Sequence, residues 1–108
     1  MTSITATRRI PDSHPSLPGH FPDQPVVPGV VILDTVDAVA RESGLGSVAA
    51  LPRVKFLAPL LPGVEFRVEI DSPGTSGLCA FRVVRDGPET PEVLCSGQLR
   101  LRDGGQSA

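Results

Sequence analysis

Gly19-His20-Phe21-Pro22-Asp23-Gln24-Pro25-Val26-Val27-Pro28-Gly29-Val30-Val31-Ile32-Leu33-Asp34 is the stretch around which the rest of the chain is arranged. It holds one of two histidines, three prolines and, after four aliphatic residues, a carboxylate. Each proline fixes its own φ and restricts the residue before it, so the first half is neither helix nor central strand. Six prolines, at positions 11, 15, 18, 22, 25 and 28, stiffen the whole segment from Pro11 to Pro28. A long loop in a small protein is usually functional, and a stiff one suits aiming a side chain, here His20.

Beyond Pro28 and Gly29 the pattern turns helical. Val30 to Ser43 is predicted as a helix stopped by Gly44. At helical spacing Val31, Ile32, Leu33, Val36, Ala38, Val39 and Ala40 cover most of the circumference, leaving Asp34, Asp37 and Arg41 as a narrow polar arc. A helix apolar on nearly all sides is expected to be buried on nearly all sides, by a sheet wrapped around it or by a partner subunit.

Outside this centre the chain reads as strands. Ile4 to Ile10 carries β-branched residues and is closed by Pro11. Val48 to Ala58 is apolar but interrupted by Pro52, which predicts a bulge or an edge position. Val64, Phe66, Val68 and Ile70 alternate with Glu65, Arg67, Glu69 and Asp71, the pattern of a strand with one buried and one wet face. Leu78 to Arg85 and Glu92 to Arg102 complete the set, the last with Val93, Cys95, Leu99 and Leu101 expected on one face. The sum is an α+β layer architecture, an antiparallel sheet of about five strands wrapped around one central helix. Residues 1–108 are expected to form a single domain with a frayed tail from 103 to 108.

Composition removes several function classes. The net charge of −2 and the absence of a basic run argue against nucleic acid, and no Trp or Tyr is available to stack bases. No apolar stretch approaches a membrane span. Met1 to Arg9 lacks a signal-peptide apolar region, so the cytoplasm is the expected compartment. Cys79 and Cys95 have no metal-ligand spacing and are expected as small core residues.

The central stretch carries chemistry. In a tight, partly apolar loop His20 stays neutral and can act as a base. Asp34, after four aliphatic residues, is expected to be buried, to hold its proton and to donate it. The Gly29 N–H at a helix start can polarise a carbonyl, helped by the helix dipole. Taken singly these are a loop histidine, a solvated helix carboxylate and an N-cap glycine. Taken together they are the minimum kit for eliminating water.

The same residues resemble the active-site motif of the 3-hydroxyacyl-acyl carrier protein dehydratases, the hot-dog fold FabA/FabZ group. His20, Phe21, Pro22, Pro25, Pro28, Gly29, Val30 and Asp34 stand at the motif's spacing, with the acid fourteen positions after the histidine. Lys55-Phe56-Leu57-Ala58-Pro59, followed by Leu61-Pro62-Gly63, is similar to the family's strand and turn after the central helix. The resemblance implies a dimeric hot-dog fold acting on a 3-hydroxyacyl thioester, carried on the phosphopantetheine of acyl carrier protein. His20 would take the C2 proton, Asp34 would protonate the leaving hydroxyl, and the Gly29 N–H would hold the thioester oxygen. The product would be the trans-2-enoyl thioester, in fatty-acid or specialised polyene and acyl-chain biosynthesis, with no metal and no redox cofactor. His20 of one chain would meet Asp34 of the other, in a homodimer or a heterodimer with a related hot-dog subunit.

Phe21, Val30, Val31, Phe56 and Leu57 are the candidate lining of the acyl tunnel. Arg53, Lys55, Arg82, Arg85, Arg100 and Arg102 are candidates for meeting an acidic carrier protein. Asp23 departs from the glycine common at its place. Asp34 is the acid of the FabA type, where FabZ types usually carry Glu. Two other readings stay open: a non-catalytic hot-dog subunit that partners a catalytic dehydratase, and a hot-dog acyl thioesterase.

Overall fold

The computed structural model describes residues 3–11, 26–87 and 89–102. Five strands and one helix follow in the order β1 (Ser3–Arg9), α1 (Gly29–Glu42), β2 (Val48–Phe56), β3 (Glu65–Asp71), β4 (Leu78–Asp86) and β5 (Pro91–Leu101). The strands make one antiparallel sheet in the spatial order β1-β3-β4-β5-β2. The strands on either side of the helix in sequence, β1 and β2, therefore take the two edges.

One face of the sheet carries the core. Phe66, Val68 and Ile70 of β3, Cys79, Phe81 and Val83 of β4, and Leu94, Cys95 and Leu99 of β5 are all buried against the helix layer. The helix answers with Val31, Ile32, Val36, Val39 and Ala40. Side chains of this size contribute about 1.5–3 kcal/mol each on burial, which is why the helix lies flat on the sheet. The other face is polar, and on β3–β4 it is laced by ion pairs. Arg82 donates to Glu69 at 3.0 Å and to Asp71 at 3.2 Å, while Arg67 pairs with Asp86 and Glu69. These carboxylates hold both guanidinium groups above their usual pKa.

The helix ends as its sequence dictates. Gly44 adopts φ +83°, its N–H bonds to the Arg41 carbonyl at 3.1 Å, and the Leu45 N–H reaches back to Ala40 at 2.9 Å. That is a Schellman closure, which satisfies carbonyls the helix leaves open. Arg8 of β1 pairs with Glu42 beside the same end. Asp37 is more than part of a polar arc. Its Oδ1 accepts the Val48 N–H at 2.7 Å and its Oδ2 accepts from Arg41 Nε at 3.0 Å, tying the helix to the first residue of β2.

Pro52 fulfils both expectations placed on it. It lies on edge strand β2, inside an irregular stretch where the register with β5 shifts between Ala50 and Arg53. Beyond that irregularity Gly97 of β5 faces Val54. A Cβ on Gly97 would fall 2.1 Å from the Arg53 carbonyl oxygen and 3.0 Å from the Phe81 ring. Only the absence of a side chain lets β2 close on the sheet here.

One expectation is corrected. Val93 does not share a face with Cys95. A register shift after Val83 pairs Val84 with Val93 and Val83 with Cys95, so Leu94 is the extra residue and takes the buried place, leaving Val93 exposed. A bulge breaks the period of two, and the alternation assumed for β5 did not include one. Within one chain the sheet does not cover the whole helix, which leaves the remainder to the partner subunit that the expectation allowed. The sheet covers one side, while Val30 is 64% exposed and Asp34 is exposed one turn later. A five-stranded sheet packed on one side of a helix leaves the opposite side open.

Candidate active site

Proline 28 caps the helix with φ −61° and ψ 147°, extended backbone that a proline holds at no extra cost. Its carbonyl accepts from Val31 N–H at 3.0 Å and Ile32 N–H at 3.3 Å. Gly29 is the first helical residue, so its N–H has no partner within the helix. The ring of Phe56 rests on it: a Cβ at Gly29 would lie 2.8 Å from Cζ and 3.1 Å from Cε1. Although Phe56 sits on the last position of β2 and faces the helix layer, it is 52% exposed, and Leu57 beside it is 56% exposed.

The segment after β2 holds the described residues that flank positions 12–25. Val27 N–H bonds to Leu60 O at 2.8 Å, just after residues 12–25. Gly63 N–H bonds to Ile10 O at 2.7 Å, just before them. Arg9 Nη1 adds a bond to Gly63 O at 2.8 Å. The described residues on either side of positions 12–25 are thus both fastened to the turn between β2 and β3. Leu60 is fully buried beneath that turn and Leu61 is exposed upon it. The anchoring role of Leu60 was not read from sequence. The Leu60-Leu61-Pro62-Gly63 turn is visible there, but its partners are residues fifty or thirty positions away.

The candidate residues divide as follows. Gly29, Val30 and Asp34 stand on the opening turns of α1, with Val30 and Asp34 on the side the sheet leaves open. Phe56 touches Gly29 and Leu57 continues past it. Val31 points the other way and is a core residue. His20 and Phe21 lie outside the described residues. The expected burial of Asp34 is not supplied by its own fold, because the four aliphatic residues before it turn mostly toward the sheet while Asp34 turns away. Of the basic candidates, Arg82 is paired with Glu69 and Asp71, and Arg85 with Glu92. Arg53, Lys55, Arg100 and Arg102 have no carboxylate partner among the described residues.

The cysteines are core residues. Both are free and buried, and burial pushes the Cys95 thiol up to about 11 and raises Cys79 as well. Neither is a nucleophile at neutral pH. Among the described residues no cluster of His, Cys, Asp and Glu is arranged to hold a metal ion. No helix among them is long and apolar enough to cross a membrane.

This arrangement offers a backbone donor at Gly29, an exposed carboxylate five residues on at Asp34, and apolar side chains around them. Such a set can hold a carbonyl oxygen and move a proton beside it. Residues 1–98 match the family model of the ApeI-like proteins, described as ApeI dehydratase. A 3-hydroxyacyl-[acyl-carrier-protein] dehydratase FabZ of Vibrio campbellii is 31% identical over 114 residues, covering 90% of this chain and 71% of that protein. The FabZ of Clostridium perfringens is 29% identical over 115 residues, covering 95% and 80%. Among solved structures, the dehydratase heterocomplex ApeI:P from Xenorhabdus doucetiae superposes with a TM-score of 0.75 at 26% identity, covering 91% of this chain and 85% of that one. An acyl-CoA hydrolase mutant from Staphylococcus aureus reaches a TM-score of 0.67 at 15% identity, a likeness of fold alone. The chain belongs to the ApeI-like dehydratase family, a FabZ-related group with the hot-dog fold.

Proposed function

We propose that this chain removes water from a 3-hydroxyacyl thioester presented on the phosphopantetheine of an acyl carrier protein, giving the trans-2-enoyl thioester. One observation carries the reading: the Gly29 N–H, which has no partner within the helix, stands at the start of α1 beneath the Phe56 ring, and Asp34 is exposed on the same opening turns on the side of Val30. The thioester oxygen accepts from the Gly29 N–H, which stabilises the enolate that forms when His20 takes the proton from C2. The C3–O bond then breaks as Asp34 gives its proton to the departing hydroxyl, and water leaves. The electron pair of the former C2–H bond becomes the C2–C3 double bond. A proton returned from His20 to Asp34 through solvent resets the pair.

In this proposal the site is completed by a second chain. Asp34 needs cover to act as an acid in a dry setting, and Val30, Phe56, Leu57 and Leu61 are exposed apolar residues of one chain. The FabZ relatives are named for carrier-protein substrates, and the solved ApeI:P relative is a complex of two different subunits. That second fact also favours the reading in which one subunit shapes the site of another.

Mass spectrometry of the carrier-bound acyl group separates the readings. Wild type and His20→Ala are incubated with 3-hydroxyacyl-carrier proteins of several acyl lengths. The expected result is loss of one water with wild type and not with the variant. Loss of the whole acyl group assigns a thioesterase, and no change with folded protein overturns the catalytic reading.

A further inference from the structure

The face of the sheet turned away from the helix carries a hollow of about 370 Å³ across β2, β5 and β4. Strand register builds it in two rows. Lys55 lies beside Ser96 and Ser96 beside Arg82, while Arg53 lies beside Gln98 and Gln98 beside Ala80. Side chains alternate along a strand, and the intervening Val54 and Phe81 belong to the core layer, so these six share the outer face. Ala80 and Ser96 are short, whereas Arg53, Lys55 and Arg82 are long. That difference in reach makes a hollow on a sheet face.

Its polar groups are unevenly satisfied. Arg82 is engaged on the far side, donating to Glu69 at 3.0 Å and to Asp71 at 3.2 Å. The Ser96 hydroxyl and the Gln98 carboxamide, both half-buried, have no hydrogen-bond partner among the described residues. Arg53 and Lys55 are exposed and have no carboxylate partner among them either. The sequence supplies none nearby, since it has no Asp or Glu between Glu42 and Glu65. The unpaired cations and the half-buried donors without partners thus line one hollow, in a chain whose net charge is −2.

The donor set selects among anions. A carboxylate brings one charge and two coplanar oxygens, which leaves a cation and a donor unanswered. A phosphate monoester at neutral pH brings about two charges and three strong acceptor oxygens. The Arg53 guanidinium can grip two of these as a fork, Lys55 acts as a point charge, and Ser96 and Gln98 donate from the floor. The volume falls in the range of about 300–1,000 Å³ usual for small-molecule sites, which leaves room for an organic body beside the phosphoryl group.

We propose that this hollow binds a small phosphate monoester, its phosphoryl group held by Arg53, Lys55, Ser96 and Gln98. The site lies across the sheet from Gly29 and Asp34, so both can be filled together. It goes beyond the dehydratase reading and does not depend on it.

The test titrates the isotope-labelled full chain with glycerol phosphate and follows backbone amide shifts by NMR, against sodium chloride at matched ionic strength. Saturable shifts are expected at Arg53, Lys55, Ser96 and Gln98, with Gly29 to Asp34 unmoved. Dimethyl phosphate, a diester of single charge, is expected to bind about tenfold or more weakly than the monoester. Arg53→Gln/Lys55→Gln should weaken glycerol phosphate binding by about tenfold or more and Ser96→Ala by about threefold, with circular dichroism verifying both folds. Shifts no different from those in chloride overturn the proposal. So do shifts confined to Gly29 to Ile32, which would place the anion at the helix start. Equal binding of the diester overturns it too, and so does an unaffected Ser96→Ala, which would leave only attraction to surface charge. The mass-shift assay on the same samples keeps the two readings apart. Saturable outer-face shifts without water loss sink the dehydratase reading alone, and water loss without such shifts sinks this site alone.

Discussion

The ring of Phe56 occupies the space that any side chain at position 29 would need. A Cβ on Gly29 would come within 2.8 Å of its Cζ and 3.3 Å of its Cε2. The contact joins the last residue of an edge strand to the first residue of the helix. It brings an apolar plate to a backbone N–H that has no helical partner.

Gly29→Ala tests that contact directly. The clashing atoms are the tip of a half-exposed ring, which can swing aside, so stability is expected to stay within about 1 kcal/mol of wild type. The N–H survives the substitution, but the ring and the substrate beside it are displaced. In the water-loss assay kcat/KM is expected to fall by tenfold or more, since small misplacements near reacting atoms are costly. Gly29→Ala/Phe56→Leu should recover part of the loss. Equal activity in both variants would show that the ring does not position the substrate.

Asp37 offers a second test, this time of folding. Asp37→Ala orphans the half-buried Val48 N–H, now bonded at 2.7 Å, and is expected to cost about 1–3 kcal/mol in urea unfolding. Asp37→Asn keeps an acceptor for that N–H and loses chiefly the exposed Arg41 pair, worth about 0.5 kcal/mol or less. Similar losses for the two variants would mean that the charge, not the bond to β2, matters.

What could be read without coordinates was whatever obeys a local rule. The alternation from Val64 to Asp71, the glycine stop after Ser43 and the proline on an edge strand each report on a few neighbouring residues. What escaped depends on partners distant in sequence. The order β1-β3-β4-β5-β2 follows from which strands close over the helix. The place of Leu94 follows from a register shift against Val83 and Val84. Asp34 was assigned to a buried setting because aliphatic residues precede it. Helical rotation carries it to the side those residues leave. The resemblance pointed to Gly29 and Asp34 at the helix start, while His20 and Phe21 fall outside the described residues.

Gly97→Ala probes the closure of β2. Its new methyl group would meet the Arg53 carbonyl at 2.1 Å, a backbone atom that cannot rotate away, and the buried Phe81 ring at 3.0 Å. Edge and neighbour must part, at an expected cost of about 1–3 kcal/mol or more. Because β2 is an edge, the loss should be local. Hydrogen exchange is expected to show weakened protection for amides of β2 and its partner positions in β5, with β3 and β4 close to wild type. Uniform loss of protection would argue against a local closure.

Cys95 predicts how stability depends on alkaline pH. Burial raises its thiol from an ordinary value of 9.0 to about 11, so in the folded chain the proton is held longer than in the unfolded one. With a folded pKa above the unfolded value, the unfolded state binds fewer protons in between. Stability therefore falls as pH rises from about 9 toward about 11, and this contribution is fully present below that range. The expected loss is on the order of 2 kcal/mol. The composition makes the effect legible, because the chain has no Tyr and a single Lys to titrate in the same range. Urea midpoints measured across this range should slope downward in wild type. In Cys95→Ala they should start lower, from the small cavity left behind, and slope less, the remaining slope belonging to Cys79, which burial also raises. In native protein at pH 8 neither thiol should react with iodoacetamide, and both should react in urea. A slope unchanged by Cys95→Ala would assign the alkaline loss to another group.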